Sequence, residues 1–147
     1  MSPLPLGVGP TNTTHGRPPG LRVLVVDDED PVRRVLSRWF TRHGFDVSEA
    51  ANGDQARLWL SSSASESFDL VVCDVRMPEL SGPELYEWLA AYRPQVIPKL
   101  VFTTGDRLHD GVREFLLTTP CAVLDKPFEL PALEDVVRRV TLAKVTA

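Results

Sequence analysis

Two short apolar runs of the chain each end directly in aspartate. Arg22–Val26 is followed by Asp27 and Asp28, and residues 68–73 are followed by Asp74. Runs this short and rich in β-branched residues are typical of strands buried on both faces, as in a parallel sheet covered by helices. Weaker or similar patterns predict three further strands, at 45–50, 100–103 and 122–124.

Helical periodicity separates these strands. Pro31 suits the first turn of a helix, and Gly44 is expected to close it; Asn52 is a plausible N-cap for the next helix. Five helices are expected, of which one lies near 107–118. The apolar positions expected on the buried faces of the other four are, in chain order, Val32, Val35, Leu36, Trp39 and Phe40; Ala56, Leu58, Trp59 and Leu60; Leu85, Trp88 and Leu89; and Leu130, Leu133, Val136, Val137 and Val140. Alternating strands and helices predict an α/β fold of three layers, with right-handed crossovers and a parallel sheet.

The length of 147 residues fits one domain, preceded by a different kind of segment. Residues 1–20 hold 5 of the 13 prolines and 4 of the 9 glycines, so we expect a flexible leader or linker there and a folded domain over 21–147. No apolar run reaches the roughly 18 residues that span a bilayer. The net charge of −4 and the absence of a basic stripe argue against direct nucleic-acid binding.

Three other groups of residues have structural interpretations. Cys73 and Cys121 lie in apolar contexts and are expected to be free thiols in a reducing cytoplasm. The three tryptophans are expected to pack partly into the core. Arg33, Arg34, Arg38 and Arg42 are expected to form a solvated helix face.

Residues with metal and phosphate chemistry follow the strands. In an open parallel sheet, ligands bind beyond the carboxyl ends of the strands, which selects Asp27, Asp28, Asp74, Thr103 or Thr104, and Lys126. Three clustered carboxylates repel one another unless a cation lies among them, and hard oxygen ligands suit Mg²⁺. The adjacent lysine and threonine indicate a phosphoryl group. Because the chain lacks both glycine-rich phosphate-binding motifs, a side chain is expected to receive that group.

Four motifs at these strand ends resemble the receiver domain of bacterial two-component response regulators. They are LVVDDE at 24–29, DVRMP at 74–78 with Gly82, Thr104-Gly105, and KPF at 126–128. The resemblance covers 21 to about 142 and implies a flavodoxin-like fold with strand order 2-1-3-4-5 and five helices on both faces of the sheet.

The resemblance also implies a role for each site residue. Asp74 is the expected phosphoacceptor; Asp28, Asp74 and the backbone carbonyl of Arg76 are expected to ligate Mg²⁺, and Asp27 to act mainly through a metal-bound water. Lys126 and Thr104 are expected to bind phosphoryl oxygens. The Lys126–Pro127 bond is expected to be cis, and Thr103 to be structural.

Two features near the site modify this expectation. Val123 stands where receivers often carry an aromatic switch residue, which puts the usual threonine and aromatic rearrangement in doubt. Arg76 and Asp106, on facing loops, are expected to pair across the entrance and to modulate dephosphorylation.

The expected partner is a sensor histidine kinase or a phosphotransfer domain, with homodimerisation on phosphorylation as an option. The domain is expected to work in the cytoplasm as a signalling switch that catalyses only its own phosphorylation and slow dephosphorylation. The TGD and LDKPF sequences resemble receivers attached to hybrid histidine kinases. Two alternatives stay open, namely a receiver-fold scaffold that is not phosphorylated, and an aspartyl-phosphate phosphatase, against which Arg76 argues.

Overall fold

A computed structural model describes residues 20–62, 68–105 and 111–146, without the side chains of 143–146. Most of the predicted leader and of the serine-rich loop after the second helix, together with Asp106, therefore lie outside the described residues. Within the described parts, no helix combines the length and apolarity needed to cross a membrane.

The described chain alternates strands and helices, as predicted. The strands are β1 (Arg22–Val26), β2 (Asp46–Ala50), β3 (Leu70–Asp74), β4 (Leu100–Thr104) and β5 (Ala122–Asp125). The helices are α1 (Asp30–Arg42), α2 (Gly53–Ser61), α3 (Gly82–Tyr92), α4 (Arg113–Thr118) and α5 (Leu130–Thr146). A 3₁₀ helix over Pro94–Lys99, which the sequence reasoning did not predict, joins α3 to β4.

The five strands form one parallel sheet in the order β2-β1-β3-β4-β5. One face packs against α2, α3 and α4 through residues such as Leu60, Leu89 and Leu116. The other face packs against α1 and α5 through residues such as Phe40 and Leu133. The predicted three-layer α/β architecture and its strand order are thus confirmed.

Local chemistry explains several element boundaries. Asn52 accepts a hydrogen bond from the backbone N–H of Gln55 at 2.8 Å, so the predicted N-cap of α2 is confirmed. Gly44, with φ of 88°, follows α1 in a conformation that favours glycine. The helix expected near 107–118 begins at Arg113 in the described part, because Gly111 and Val112 form a turn.

Some apolar positions are more exposed than periodicity predicted. Val35, Leu58 and Leu130 are exposed, so their placement on buried helical faces is wrong. On α1 the fully buried stripe consists of Leu36 and Phe40, with Val32 and Trp39 partly covered, and is narrower than predicted. The three tryptophans pack against the two cores while partly exposed, as expected.

Candidate functional site

The carboxyl ends of four neighbouring strands bring the predicted site residues to one edge of the sheet. Asp27 directly follows β1, Asp74 ends β3, Thr104 ends β4, and Lys126 follows β5. Backbone pairing continues past the strands, since the Asp27 N–H donates to the Ala50 carbonyl at 3.1 Å. The positions of these side chains are therefore set by the sheet and not by long loops.

Three carboxylates gather at this edge. One oxygen from each of Asp27, Asp28 and Asp74 lies within 4.8 Å of the others. Asp27 and Asp74 are buried, whereas Asp28 is exposed at the mouth of the cluster. The sequence prediction that these three carboxylates converge is confirmed.

Lys126 reaches into the carboxylate cluster from β5. Its ammonium lies 2.9 Å from Asp27 Oδ2, 3.1 Å from Asp74 Oδ2 and 3.5 Å from Glu29 Oε1. Burial alone would lower the pKa of Lys126, but hydrogen bonding and attraction to Asp27 and Asp74 outweigh it and raise that pKa. Lys126 is therefore a permanent cation that offsets one of the carboxylate charges.

Asp74 is held by its own loop and by Lys126. Its Oδ1 accepts a hydrogen bond from the Arg76 backbone N–H at 3.2 Å, and its Oδ2 pairs with the ammonium. Burial raises the pKa of Asp74, and repulsion by Asp27 adds to the rise, although the contacts with Arg76 and Lys126 act against it. The carboxylate charge at this position is thus disfavoured without a further cation.

The loop after Asp74 is fixed by close packing. A Cβ on Gly82 would lie 2.4 Å from Val75 Cγ2, so only glycine fits, and its N–H donates to the Val75 carbonyl at 2.7 Å. Ser81 and Glu84 form a capping box that begins α3 directly afterwards. Arg76 lies exposed on this loop, while its predicted partner Asp106 falls outside the described residues, so their pairing stays a prediction.

The two threonines of β4 point to different faces of the sheet. Thr104 is fully buried, and its carbonyl accepts from the Lys126 N–H at 2.7 Å, which ties the hydroxyl-bearing residue to the lysine. Thr103 is also buried, but its hydroxyl has no hydrogen-bond partner within the described structure. The Lys126–Pro127 peptide bond is cis, as expected.

Two charged residues near the cluster were missed by sequence reasoning. Glu29 contacts the Lys126 ammonium, and only its adjacency to Asp27 and Asp28 hinted at this. The solvated helix face predicted for Arg33 is wrong, because its side chain is only 14% exposed and donates to the Asp27 carbonyl at 2.8 Å. Spacing alone could not separate Arg33 from the exposed Arg34 beside it.

The donor set fits a small divalent cation. The cluster offers hard carboxylate oxygens, and Lys126 neutralises only one of their three charges. Asp27 Oδ2 is buried and lacks a hydrogen bond of good geometry, although it forms the ion pair with Lys126. Such an incompletely satisfied oxygen beside two other carboxylates is suited to a metal-bound water or a metal ion.

Comparisons with known proteins agree on one family. Residues 23–138 match the model of the response regulator receiver domain. The chain is 35% identical over 118 residues to the sensor kinase CckA of Brucella abortus, and 34% identical over 121 residues to the regulatory protein AtoC of Escherichia coli. Each alignment covers 80% of this chain, but only 12% of CckA and 24% of AtoC.

Solved structures give the same result. The receiver domain of the hybrid histidine kinase CckA is 30% identical, with a TM-score of 0.63 over 82% of this chain and 98% of that one. A receiver domain of a sensor histidine kinase from Pseudomonas aeruginosa, solved with magnesium in its active site cleft, is 24% identical, with a TM-score of 0.72 over 83% and 98%. Together with the acidic cluster at the strand ends, these matches establish that the chain belongs to the response regulator receiver domain family of two-component systems.

Proposed function

We propose that Asp74 accepts a phosphoryl group from a phosphohistidine and that the resulting aspartyl phosphate is the signalling state of the domain. The observation that carries the proposal is the Lys126 ammonium, which bridges the Asp27 and Asp74 carboxylates beside the exposed Asp28. An isolated buried carboxylate would serve no such transfer, whereas this one has a cation positioned for the incoming charge.

In the transfer, an oxygen of Asp74 attacks phosphorus and the phosphorus–nitrogen bond of the donor breaks. The electron pair of that bond leaves with the imidazole nitrogen, which takes up a proton, and the phosphoryl group stays on Asp74. Lys126 stabilises the charge on one phosphoryl oxygen, and the Thr104 hydroxyl donates to another. The domain catalyses only this step and the slow hydrolysis of the aspartyl phosphate, in which water takes the phosphoryl group as inorganic phosphate and the Asp74 carboxylate is restored.

A Mg²⁺ ion held by Asp28, Asp74 and the Arg76 carbonyl, with Asp27 acting through water, fits the oxygen donors of the site. When bound, it supplies neutralisation of the carboxylate and phosphoryl charges. A relative of the same fold contains magnesium in its cleft, which supports the assignment. Asp28 is the exposed carboxylate and would offer the ion its solvent-facing ligand, while Asp27 and Asp74 lie on the buried side of the site.

The phosphodonor in this proposal is a sensor histidine kinase or a phosphotransfer domain. The relatives include a sensor kinase and a regulatory protein, and this chain aligns with only a part of each. We place the reaction in the cytoplasm, because the free Cys73 and Cys121 suit a reducing compartment. Phosphorylation is expected to change the surface that a protein partner, including a second copy, recognises.

Phosphorylation with a small-molecule phosphodonor tests this proposal. The protein is incubated with acetyl phosphate and MgCl₂, and intact mass is measured. Wild type should gain the mass of one phosphoryl group, whereas Asp74→Asn should gain none. Asp69→Asn is the matched control, because Asp69 is a buried carboxylate at the opposite end of β3 and should leave the reaction intact. A wild-type protein whose mass does not change would favour a receiver-fold scaffold that is not phosphorylated. In a separate assay, rapid hydrolysis of a phosphomonoester would favour a phosphatase.

A further inference from the structure

Arg33 forms a fork between three elements beside the acidic cluster. Its Nη1 donates to the Asp27 carbonyl at 2.8 Å, its Nε donates to Glu49 Oε1 at 2.9 Å, and its Nη2 pairs with Asp30. These contacts join the end of β1, the end of β2 and the first turn of α1. The rigid donor fork of a planar guanidinium holds all three partners in one fixed geometry, whereas an ammonium is a compact charge with rotatable donors.

The carbonyl that Arg33 holds belongs to the peptide unit between Asp27 and Asp28. The next peptide unit is also held, because the Glu29 N–H donates to Asp27 Oδ1 at 2.9 Å. Asp28 therefore lies between two fixed peptide units, although its side chain is exposed. Preorganised backbone of this kind lowers the entropy lost when a carboxylate binds a cation.

The backbone of Glu49, one of the two acidic partners of Arg33, is itself held in place. The Glu49 carbonyl accepts a hydrogen bond from Trp59 Nε1 at 3.1 Å, so α2 anchors the end of β2. Glu49 in turn orients the guanidinium through its side chain. The fork thus connects the metal-facing turn to a rigid part of the sheet.

We propose that Arg33 is a positioning residue that fixes the peptide unit between Asp27 and Asp28 and so preorganises the Asp28 carboxylate for the divalent cation. This inference rests on the proposed function, because it requires Mg²⁺ to bind at the cluster. The hydrogen bonds of Arg33 go to the Asp27 carbonyl, Glu49 and Asp30, so in this proposal it acts on the cation through Asp28 and not by direct contact.

The sign of the effect separates positioning from simple electrostatics. Removing a positive charge near a cation site should strengthen Mg²⁺ binding if charge alone matters. Removing a residue that orients a ligand should weaken binding, by about tenfold or more for partners that support metal ligands. Arg33→Met and Arg33→Lys distinguish the two, because only the lysine keeps the charge while losing the fork.

The experiment is an NMR titration of amide resonances with MgCl₂ for wild type, Arg33→Met, Arg33→Lys and the control Arg34→Met. Arg34 is the neighbouring, exposed arginine of α1. We expect the dissociation constant to rise about tenfold in Arg33→Met, to rise at least as much in Arg33→Lys, which keeps the repulsive charge without the fork, and to stay unchanged in Arg34→Met. Equal or tighter binding by Arg33→Met overturns the proposal.

A second measurement needs no metal. Hydrogen exchange of the Glu29 amide should accelerate in Arg33→Met without Mg²⁺, while exchange of the Val72 amide in the centre of β3 should stay unchanged and show that the fold is retained. Unchanged exchange at Glu29 also overturns the proposal. If wild type itself shows no Mg²⁺-dependent shift at Asp28, the metal assignment under the proposed function is wrong and the role of Arg33 falls with it.

Discussion

Replacing Asp74 with asparagine should stabilise the metal-free protein. At an effective dielectric constant of about 20, two carboxylate charges no more than 4.8 Å apart repel each other by at least roughly 3.5 kcal/mol. Asp74 faces two such neighbours, Asp27 and Asp28, and one attraction to Lys126 at 3.1 Å worth roughly 5 kcal/mol. Solvent screening at the exposed Asp28 reduces the net repulsion on the Asp74 carboxylate to about 1 kcal/mol. Asp74→Asn should therefore raise the free energy of unfolding by this amount.

The difference in stability between wild type and Asp74→Asn should depend on pH with a defined sign. Burial raises the pKa of folded Asp74 above its ordinary value of 3.8, so between these two pKa values the folded state binds more protons than the unfolded state. The contribution of Asp74 to stability therefore falls as pH rises through the window. The advantage of Asp74→Asn should be full above the raised pKa and should vanish below the ordinary value.

Urea unfolding followed by tryptophan fluorescence, in EDTA at pH 7.5, measures the difference. Saturating Mg²⁺ should reverse the order, because the ion stabilises only the form that binds it. Asp69→Asn is the matched control, since Asp69 Oδ2 accepts from the Arg22 N–H at 2.7 Å and loss of that charge-assisted bond should destabilise the fold by about 1 kcal/mol. A less stable Asp74→Asn in EDTA would refute the reasoning about repulsion.

Further predictions concern hydroxyls, a helix cap and a thiol. Thr103→Val should raise the free energy of unfolding by about 1 kcal/mol, since it removes a buried hydroxyl without a partner in the described structure. It should leave phosphorylation intact, whereas Thr104→Val should slow phosphorylation. Loss of phosphorylation in Thr103→Val would show that Thr103, and not Thr104, binds the phosphoryl group. Asn52→Ala should lower that free energy by about 1 kcal/mol in urea unfolding, through loss of the cap of α2; an unchanged midpoint would contradict this. Burial raises the pKa of the Cys73 thiol strongly, so Cys73 should react with a thiol reagent only on unfolding, after the half-buried Cys121; rapid native-state labelling of Cys73 by mass spectrometry would contradict its burial.

The strand ends were predictable because two independent signals coincide there. β-branched runs locate the buried strands, and parallel pairing brings their carboxyl ends to one edge, so the convergence of Asp27, Asp74 and Lys126 follows from the sequence. The cap at Asn52 was predictable because its hydrogen bond is local.

The remaining errors concern burial that depends on tertiary packing. Val35 and Leu58 have the spacing of core residues yet lie exposed, because each helix buries a narrower stripe than its apolar pattern covers. Arg33 has the spacing of a surface residue, but its side chain is largely buried because it donates hydrogen bonds to Glu49 and to the Asp27 carbonyl, both outside α1. Periodicity describes one helix at a time and cannot reveal such partners.

The backbone bonds beyond the strands have a mechanical consequence. The Val75 N–H donates to the Thr103 carbonyl at 2.9 Å, and the Lys126 N–H donates to the Thr104 carbonyl at 2.7 Å. Both bonds lie at the same edge of the sheet, where they lace β3, β4 and β5 into a single strip. A displacement of β4 at Thr103 and Thr104 would therefore be transmitted through these two hydrogen bonds to Val75 after β3 and to Lys126 after β5.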